Sequence, residues 1–455
     1  MLRRLRPHQV PAFAYMLRWR NPAPWLEMRL GKCIITIRRI LLIKPRNPAL
    51  GLRILVVAPN SALGSWEKEL PQEMQPCILR PQGSSKARLQ IIKGACATAH
   101  TNVWILLNKE SHLGLPQIAR MPWDAVVLDE SNFISNPTSK ASKFYCNNFR
   151  DPRIHRFSLT GMPRPESDLQ YFQQLKWLDG SAFGYDNFYK WRAKECEKDL
   201  SGNWKVRDVP AMLHTVGTRT YILSRKDAGI HIPSVREVRE LVLPPAMRRM
   251  YDLCESDFVL PGKETIWATT KYTWLRRITG GVIDGEVKWD GKLQELVSLL
   301  MGELRGVSVV VVFFYNDELQ AAKAALIEAG MAALILTLRG DVPTTTRERI
   351  REAWENTPGG VLLVQQAVIS SGMNLSQSDT MIFYSENPSC LGTFQAQDRI
   401  VDTAKRQALL YVYLVVKNSV DSDLRETLPI KRWASDSSLR AALMERLCAR
   451  VRRKV

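Results

Sequence analysis

The chain has 455 residues, 45% hydrophobic and 24% charged, which is enough to build two or three domains with ordinary cores. Its apolar runs, Val307 to Phe314 among them, are strand-sized and far short of the ~18 residues that span a bilayer, so no membrane partner is expected. The formal net charge of +19 is concentrated at the ends: residues 1–55 hold twelve Lys and Arg against one acid, and residues 431–455 hold eight against two, which points to a polyanion such as nucleic acid.

In chain order, Leu5-Arg6-Pro7-His8-Gln9 precedes a helix-like run, Val10 to Arg18. The Gln9 amide offers both a donor and an acceptor, which suits an adenine edge. Next comes Glu27-Met28-Arg29-Leu30-Gly31-Lys32-Cys33, followed by Ile34-Ile35-Thr36-Ile37. Gly31 lets the backbone approach a phosphate, Lys32 supplies a point charge, and the helix predicted after them offers its positive end to an anion. This is a reduced phosphate loop. Against G-x-x-x-x-G-K-[ST], Leu26 stands for the first glycine and Cys33 for the hydroxyl residue. Gly-Lys pairs also occur in simple turns before buried helices, so this loop gains its weight from the motifs later in the chain.

Arg53 to Ala58 reads as a buried parallel strand ending at Pro59-Asn60-Ser61, with Ser61 predicted to cap a helix holding Trp66-Glu67-Lys68-Glu69-Leu70. A second strand is predicted at Asn102 to Leu107. A third, Trp123 to Leu128, ends in Asp129-Glu130-Ser131-Asn132. Two acids at the carboxyl end of a buried strand stand where open α/β sheets bind ligands. Asp129 suits a Mg²⁺ ion, and Glu130 suits an attacking water. Arg156 to Leu159 then runs into the turn Thr160-Gly161-Met162-Pro163. Alternating strands and helices, with the special residues at strand ends, predict a doubly wound domain over residues 1–165.

Residues 166–300 are rich in Trp, Tyr, Lys and Arg with helical periodicity, and read as a helical insertion and joining region. Residues 301–430 return to the α/β pattern. Strands are predicted at Val307 to Phe314, Ala333 to Leu336, Gly360 to Val364 and Thr380 to Tyr384, with Asn316 or Asp317 capping one helix and another at Arg347 to Glu355. Ser371-Gly372-Met373-Asn374 and Gln395-Ala396-Gln397-Asp398-Arg399 come next, then the basic segment 431–455. The eight cysteines contain no C-x-x-C pair, so reduced thiols in a cytoplasmic protein are expected.

The ordered set Leu-Arg-Pro-His-Gln, Arg-Leu-Gly-Lys, Val-Ala-Pro-Asn-Ser, Leu-Asp-Glu-Ser and Leu-Thr-Gly-Met-Pro resembles the first motor domain of superfamily 2 helicase-like ATPases. The segments Val57 to Leu70 and Asp129 to Pro137 resemble the Swi/Snf-like branch of double-stranded DNA translocases, in a compact form familiar from bacteriophages. The resemblance covers roughly residues 5–425 and implies two tandem RecA-like (P-loop NTPase) α/β domains that hydrolyse ATP with Mg²⁺ in the cleft between them, stimulated by duplex DNA. It implies catalytic roles for Lys32, Asp129, Glu130 and Arg399, the last as an arginine finger. Nucleotide contacts would come from Gln9, Arg29, Leu30, Gly31, Lys32, Cys33 and Gln395. Coupling to DNA would involve Ser61, Thr160, Gly161, Gly372 and Asn374. Asp129 and, weakly, Cys33 would face the metal.

Two departures bear on this expectation. A thiol at Cys33 is a poor ligand for a hard cation. Asp402 stands where a second arginine belongs, with Lys405 and Arg406 as nearby substitutes. A slow enzyme, a compensated one, and a nucleotide-gated DNA-binding protein all fit this sequence.

Overall fold

The computed structural model describes residues 3–73, 76–164, 167–199, 202–370, 373–402, 405 and 407–431. Gly372, Arg406 and all of the basic segment beyond Lys431 lie outside the described residues. The chain divides into two compact units, Met1–His231 and Ile232–Val455. The stretch 166–300 is therefore shared between the units, and it holds short strands as well as helices.

The first unit holds strands β1 (Pro24–Leu26), β2 (Arg53–Ala58), β3 (Cys77–Leu79), β4 (Val103–Asn108), β5 (Ala125–Asp129), β6 (His155–Leu159), β7 (Cys196–Lys198), β8 (Trp204–Val206) and β9 (Tyr221–Leu223). Strands β2 to β6 form one parallel sheet in the order β3-β4-β2-β5-β6. Every residue of β2 is buried. Leu55 and Val57 face one core with Trp25 and Trp123, while Ile54 and Val56 face another with Ile34, Ile35, Ile37 and Ile40. A parallel sheet covered on both faces requires such an unbroken apolar run. The four isoleucines belong to helix α2 (Lys32–Leu41), which follows α1 (Gln9–Arg18) and precedes α3 (Asn60–Glu73).

Register gathers the special residues. Leu128 lies opposite Val57, and Asp129 lies opposite Leu159, so β2, β5 and β6 finish together at their carboxyl ends. At the opposite end, the buried Arg53 donates to the carbonyls of Cys96 (2.7 Å), Thr101 (2.7 Å) and Thr98. Strand β1 stands outside this sheet and pairs in parallel with β9, Trp25 opposite Ile222.

The second unit is also a doubly wound sheet. Its six parallel strands lie in the spatial order Ser234–Leu241, Leu409–Val416, Thr380–Phe383, Val309–Phe313, Val361–Gln365 and Ile335–Leu338. Val310 and Val312 face one core, and Val309, Val311 and Phe313 the other. The fold is thus two tandem RecA-like α/β domains. Among the described residues no helix is long and apolar enough to cross a membrane.

Several local expectations are corrected. Helix α3 starts at Asn60, so Ser61 lies inside its first turn instead of capping it. Tyr315, not Asn316 or Asp317, is the cap residue of Asn316–Glu328, and the Asp317 carboxylate pairs with Arg277. The helix predicted from Arg347 begins at Thr344, after Pro343.

Candidate nucleotide site

The loop between β1 and α2 turns through two left-handed residues, Arg29 (φ 68°) and Gly31 (φ 78°). Gly31 is the N-cap of α2, and no side chain caps that end, so the first helical N–H groups are left to the loop's concavity. A Cβ at Gly31 would stand 2.1 Å from Nε2 of Gln9. Glycine is thus required there twice, for its φ and for its smallness. The Gln9 side chain is buried beneath the loop. Its Nε2 donates to the Leu30 carbonyl (3.1 Å) and its oxygen accepts from Arg6 N (2.9 Å). His8 Nε2 lies 3.2 Å from the same carbonyl. Lys32 is the next residue, and its ammonium donates to the Leu26 carbonyl at the end of β1 (3.0 Å). The Leu30 side chain is buried in the core, while Arg29 is exposed.

Asp129, the last residue of β5, is buried, and each of its oxygens accepts a hydrogen bond. Trp66 Nε1 on α3 donates to one (2.9 Å), and the Glu130 amide donates to the other (3.0 Å). Burial, and then the Glu130 charge, push its carboxyl up to about 6, against the lowering effects of Lys32 and of the two donors. Burial and the Asp129 carboxylate drive the Cys33 thiol well above its ordinary value, so the sulfur stays neutral. Glu130 adopts the left-handed region (φ 51°, ψ 53°), a strained conformation for a residue with a side chain, and one that clusters at active sites. Thr160 Oγ1 donates to Glu130 Oε2 (3.3 Å) and accepts from Met162 N (3.0 Å), tying the turn after β6 to the acid pair. A Cβ at Gly161 would meet Met28 N at 3.2 Å, so that turn packs directly on the phosphate loop.

Beneath these groups runs a buried hydroxyl and amide relay that sequence reasoning missed. Ser131 Oγ meets Ser158 Oγ (2.8 Å) and donates to Gln174 Oε1 (2.9 Å), Trp25 Nε1 donates to Ser158 (3.1 Å), and Gln174 Nε2 donates to the Pro163 carbonyl (2.6 Å). Only Ser131, quoted with the Asp129-Glu130 pair, gave any signal.

In the second unit, the helix expected to carry Arg399 ends at Gln397. Ile400 and Val401, just beyond that end, are both buried. Arg399 lies in the turn that follows the helix. Its Nε donates to the Ile369 carbonyl (3.1 Å), and its own carbonyl accepts from Leu375 N (3.0 Å), beside the exposed Asn374. Gln395 is half-buried on the helix Cys390–Gln397. The Lys405 ammonium, a suggested substitute finger, is held by Asp379 and by the carbonyls of Ser378 and Ile400.

The geometry thus brings Gly31, Lys32, Cys33, Asp129, Glu130, Thr160 and Gly161 to one end of the first sheet. The pattern of the SNF2-related domain matches residues 26–265. The chain belongs to the SNF2-related family. The matched region opens at Leu26, on the threshold of the phosphate loop. Among curated relatives of this SNF2-related chain, the chromatin-remodeling ATPase INO80 of Sclerotinia sclerotiorum is 25% identical over 195 residues, and that of Gibberella zeae is 24% identical over the same length. These matches take in 40% of the chain but only 11% and 10% of the two relatives, so the chain spans a small part of their length. Among solved structures, the helicase domain of Pyrococcus furiosus Hef aligns over 93% of this chain and 97% of its own, with a TM-score of 0.53 and 12% identity, a likeness of fold. The SWI2/SNF2 ATPase core of Sulfolobus solfataricus in complex with dsDNA covers 94% and 92%, with a TM-score of 0.45 and 18% identity.

Proposed function

We propose that this chain is an ATP-driven translocase on double-stranded DNA. The observation that carries this reading is the junction of the phosphate loop with the Asp129–Glu130 pair, through the turn whose Thr160 bonds Glu130 and whose Gly161 packs on Met28. A buried carboxylate held up to about 6 fits a divalent cation, whose charge would relieve that burial. Mg²⁺ commonly binds through one or two carboxylates together with substrate phosphates, so one acid is sufficient. Bound Mg²⁺·ATP supplies the transferable phosphoryl group and the charge that neutralises it.

The protein residues have separable tasks. Lys32 and the first amides of α2 hold phosphate oxygens, and Gly31 keeps that approach clear. Asp129, aimed by Trp66, faces the cation, and the neutral Cys33 thiol contributes little beside it. Glu130 orients and deprotonates the attacking water, with Thr160 setting its rotamer. Arg399 serves the transferring phosphate. Gln9, expected to read the base, instead braces the loop, because its buried amide is taken up by the Leu30 carbonyl and Arg6 N. Duplex DNA as the track rests on family membership, on the net charge of +19 and on relatives named chromatin-remodeling ATPases.

A second reading has a specific observation behind it. The neutral Cys33 thiol and the acid at Asp402 favour a protein that binds nucleotide and DNA with little turnover. Steady-state ATP hydrolysis, with and without duplex DNA and with Glu130→Gln as control, separates the two. DNA-stimulated turnover that vanishes in the control establishes the motor. Turnover no higher than the control, with DNA binding intact, establishes the second reading. Preference for RNA over duplex DNA would refute both.

A further inference from the structure

The phosphate loop is supported by a segment almost two hundred residues away in sequence. Strand β9 runs parallel to β1, with Leu223 opposite Leu26, and the Leu26 carbonyl is the one that accepts from Lys32. One residue on, Glu27 N donates to the Leu223 carbonyl (2.9 Å). The Glu27 carboxylate is then tied at both oxygens by Arg225. The Arg225 amide donates to Oε2 (2.7 Å), while Nε (3.0 Å) and Nη2 (2.7 Å) both donate to Oε1. Each side chain keeps only 17% of its exposure, so this is a multiply bonded, largely desolvated pair, unlike the weak ion pairs of open surfaces.

The loop needs such support. Arg29 sits at φ 68°, a conformation that a residue with a side chain leaves when nothing holds it there. Glu27, two residues upstream, is fixed through both its main chain and its side chain. Tyr221, Leu223, Ala228 and Ile230 pack on the same core as α2, so the clamp has a rigid base.

We infer that Arg225 is a positioning residue for the nucleotide site, holding the phosphate loop in its binding conformation through Glu27 before nucleotide arrives. The inference rests on the nucleotide reading of Lys32 given above. It assigns Arg225 no contact with nucleotide. Its effect is preorganisation, so its loss is felt as weaker nucleotide binding.

The test uses the full chain with Arg225→Ala, Arg225→Lys, Glu27→Gln and the double variant Glu27→Gln/Arg225→Ala. A fluorescent ATP analogue is titrated well below the unfolding temperature, and amide hydrogen exchange is followed over residues 28–33. Arg225→Ala is expected to weaken the analogue about tenfold, the scale of one lost charge-assisted contact, and to speed exchange in the loop. Arg225→Lys restores only part of this, because an ammonium cannot present two nitrogens in a fork. The double variant is no worse than Arg225→Ala, since both changes open one clamp. A purely structural ion pair would lower the melting temperature and leave analogue affinity and loop exchange unchanged, and that result would overturn the inference. If the unsubstituted chain bound no analogue, the nucleotide reading would fall, and loop exchange alone would decide the clamp. If Arg225→Ala did not fold, Arg225→Lys matching the unsubstituted chain in both readouts would refute it.

Discussion

Substituting Gly31→Ala probes the phosphate loop most directly. Alanine must adopt φ 78°, which carries a left-handed penalty of about 1–2 kcal/mol. Its Cβ would also fall 2.1 Å from Gln9 Nε2. That nitrogen ends a flexible side chain, so Gln9 swings away instead of forcing the backbone apart. In doing so it gives up its bonds to Leu30 and to Arg6 N. Two such bonds contribute about 0.5–1.5 kcal/mol each, and His8 still lies near the Leu30 carbonyl. The total is about 2–5 kcal/mol. The assay is urea unfolding of the first unit followed by tryptophan fluorescence, run in a double-mutant cycle with Gln9→Ala. Once Gln9 is alanine there is nothing to displace, and Gly31→Ala should cost only the backbone strain of about 1–2 kcal/mol. Equal penalties in the two backgrounds would refute the reasoning, because the loop would then not be braced by Gln9.

Three further outcomes are expected. Arg53→Met removes the donor to four carbonyls at the amino-terminal end of the first sheet and should destabilise the unit by about 3–5 kcal/mol in the same urea assay; a loss under about 1 kcal/mol would show the carbonyls finding other partners. His155 has its ring held down to about 4 by burial and the nearby arginines, so protons bind the unfolded chain more readily. Its contribution is complete above about 6.5 and is lost as pH falls toward 4, on the order of 1 kcal/mol after discounting for exposure; His155→Gln should flatten the stability profile across that window, and an unchanged slope would refute the assignment. Asp402→Arg should raise steady-state ATP turnover, and no gain would show that position 402 does not reach the transferring phosphate.

Much of the fold was legible because parallel strands buried on both faces read as unbroken apolar runs. Val309–Phe313 and the stretch Ile54 to Ala58 announce themselves in this way. The acid pair was legible for a related reason, since Asp129-Glu130 interrupts the pattern just where the strand leaves the core. Ser234–Leu241 was hidden, because an edge strand carrying Arg236, Glu237, Arg239 and Glu240 lacks the apolar signal. Trp66 was visible as a residue but not as the donor to Asp129, since that contact depends on how α3 lies on the sheet. The end of the helix before Arg399 was not legible, since no glycine or proline follows Gln397 to mark it. Arg225 shows no partner in the sequence, as nothing local connects it to Glu27.

That last pairing sets an order of assembly. The bond between Glu27 and Arg225 closes a loop of 198 residues. During synthesis the sheet β2 to β6 can form while the ribosome is still extending the chain, but β1 has no partner strand until Tyr221–Leu223 emerges. The nucleotide loop, near the start of the sequence, is therefore among the last parts of the first unit to mature. A nascent chain stalled at residue 220 would carry Lys32, Asp129 and Glu130 and still lack the Arg225 clamp on Glu27, so it is expected to hold nucleotide more weakly than the whole first unit.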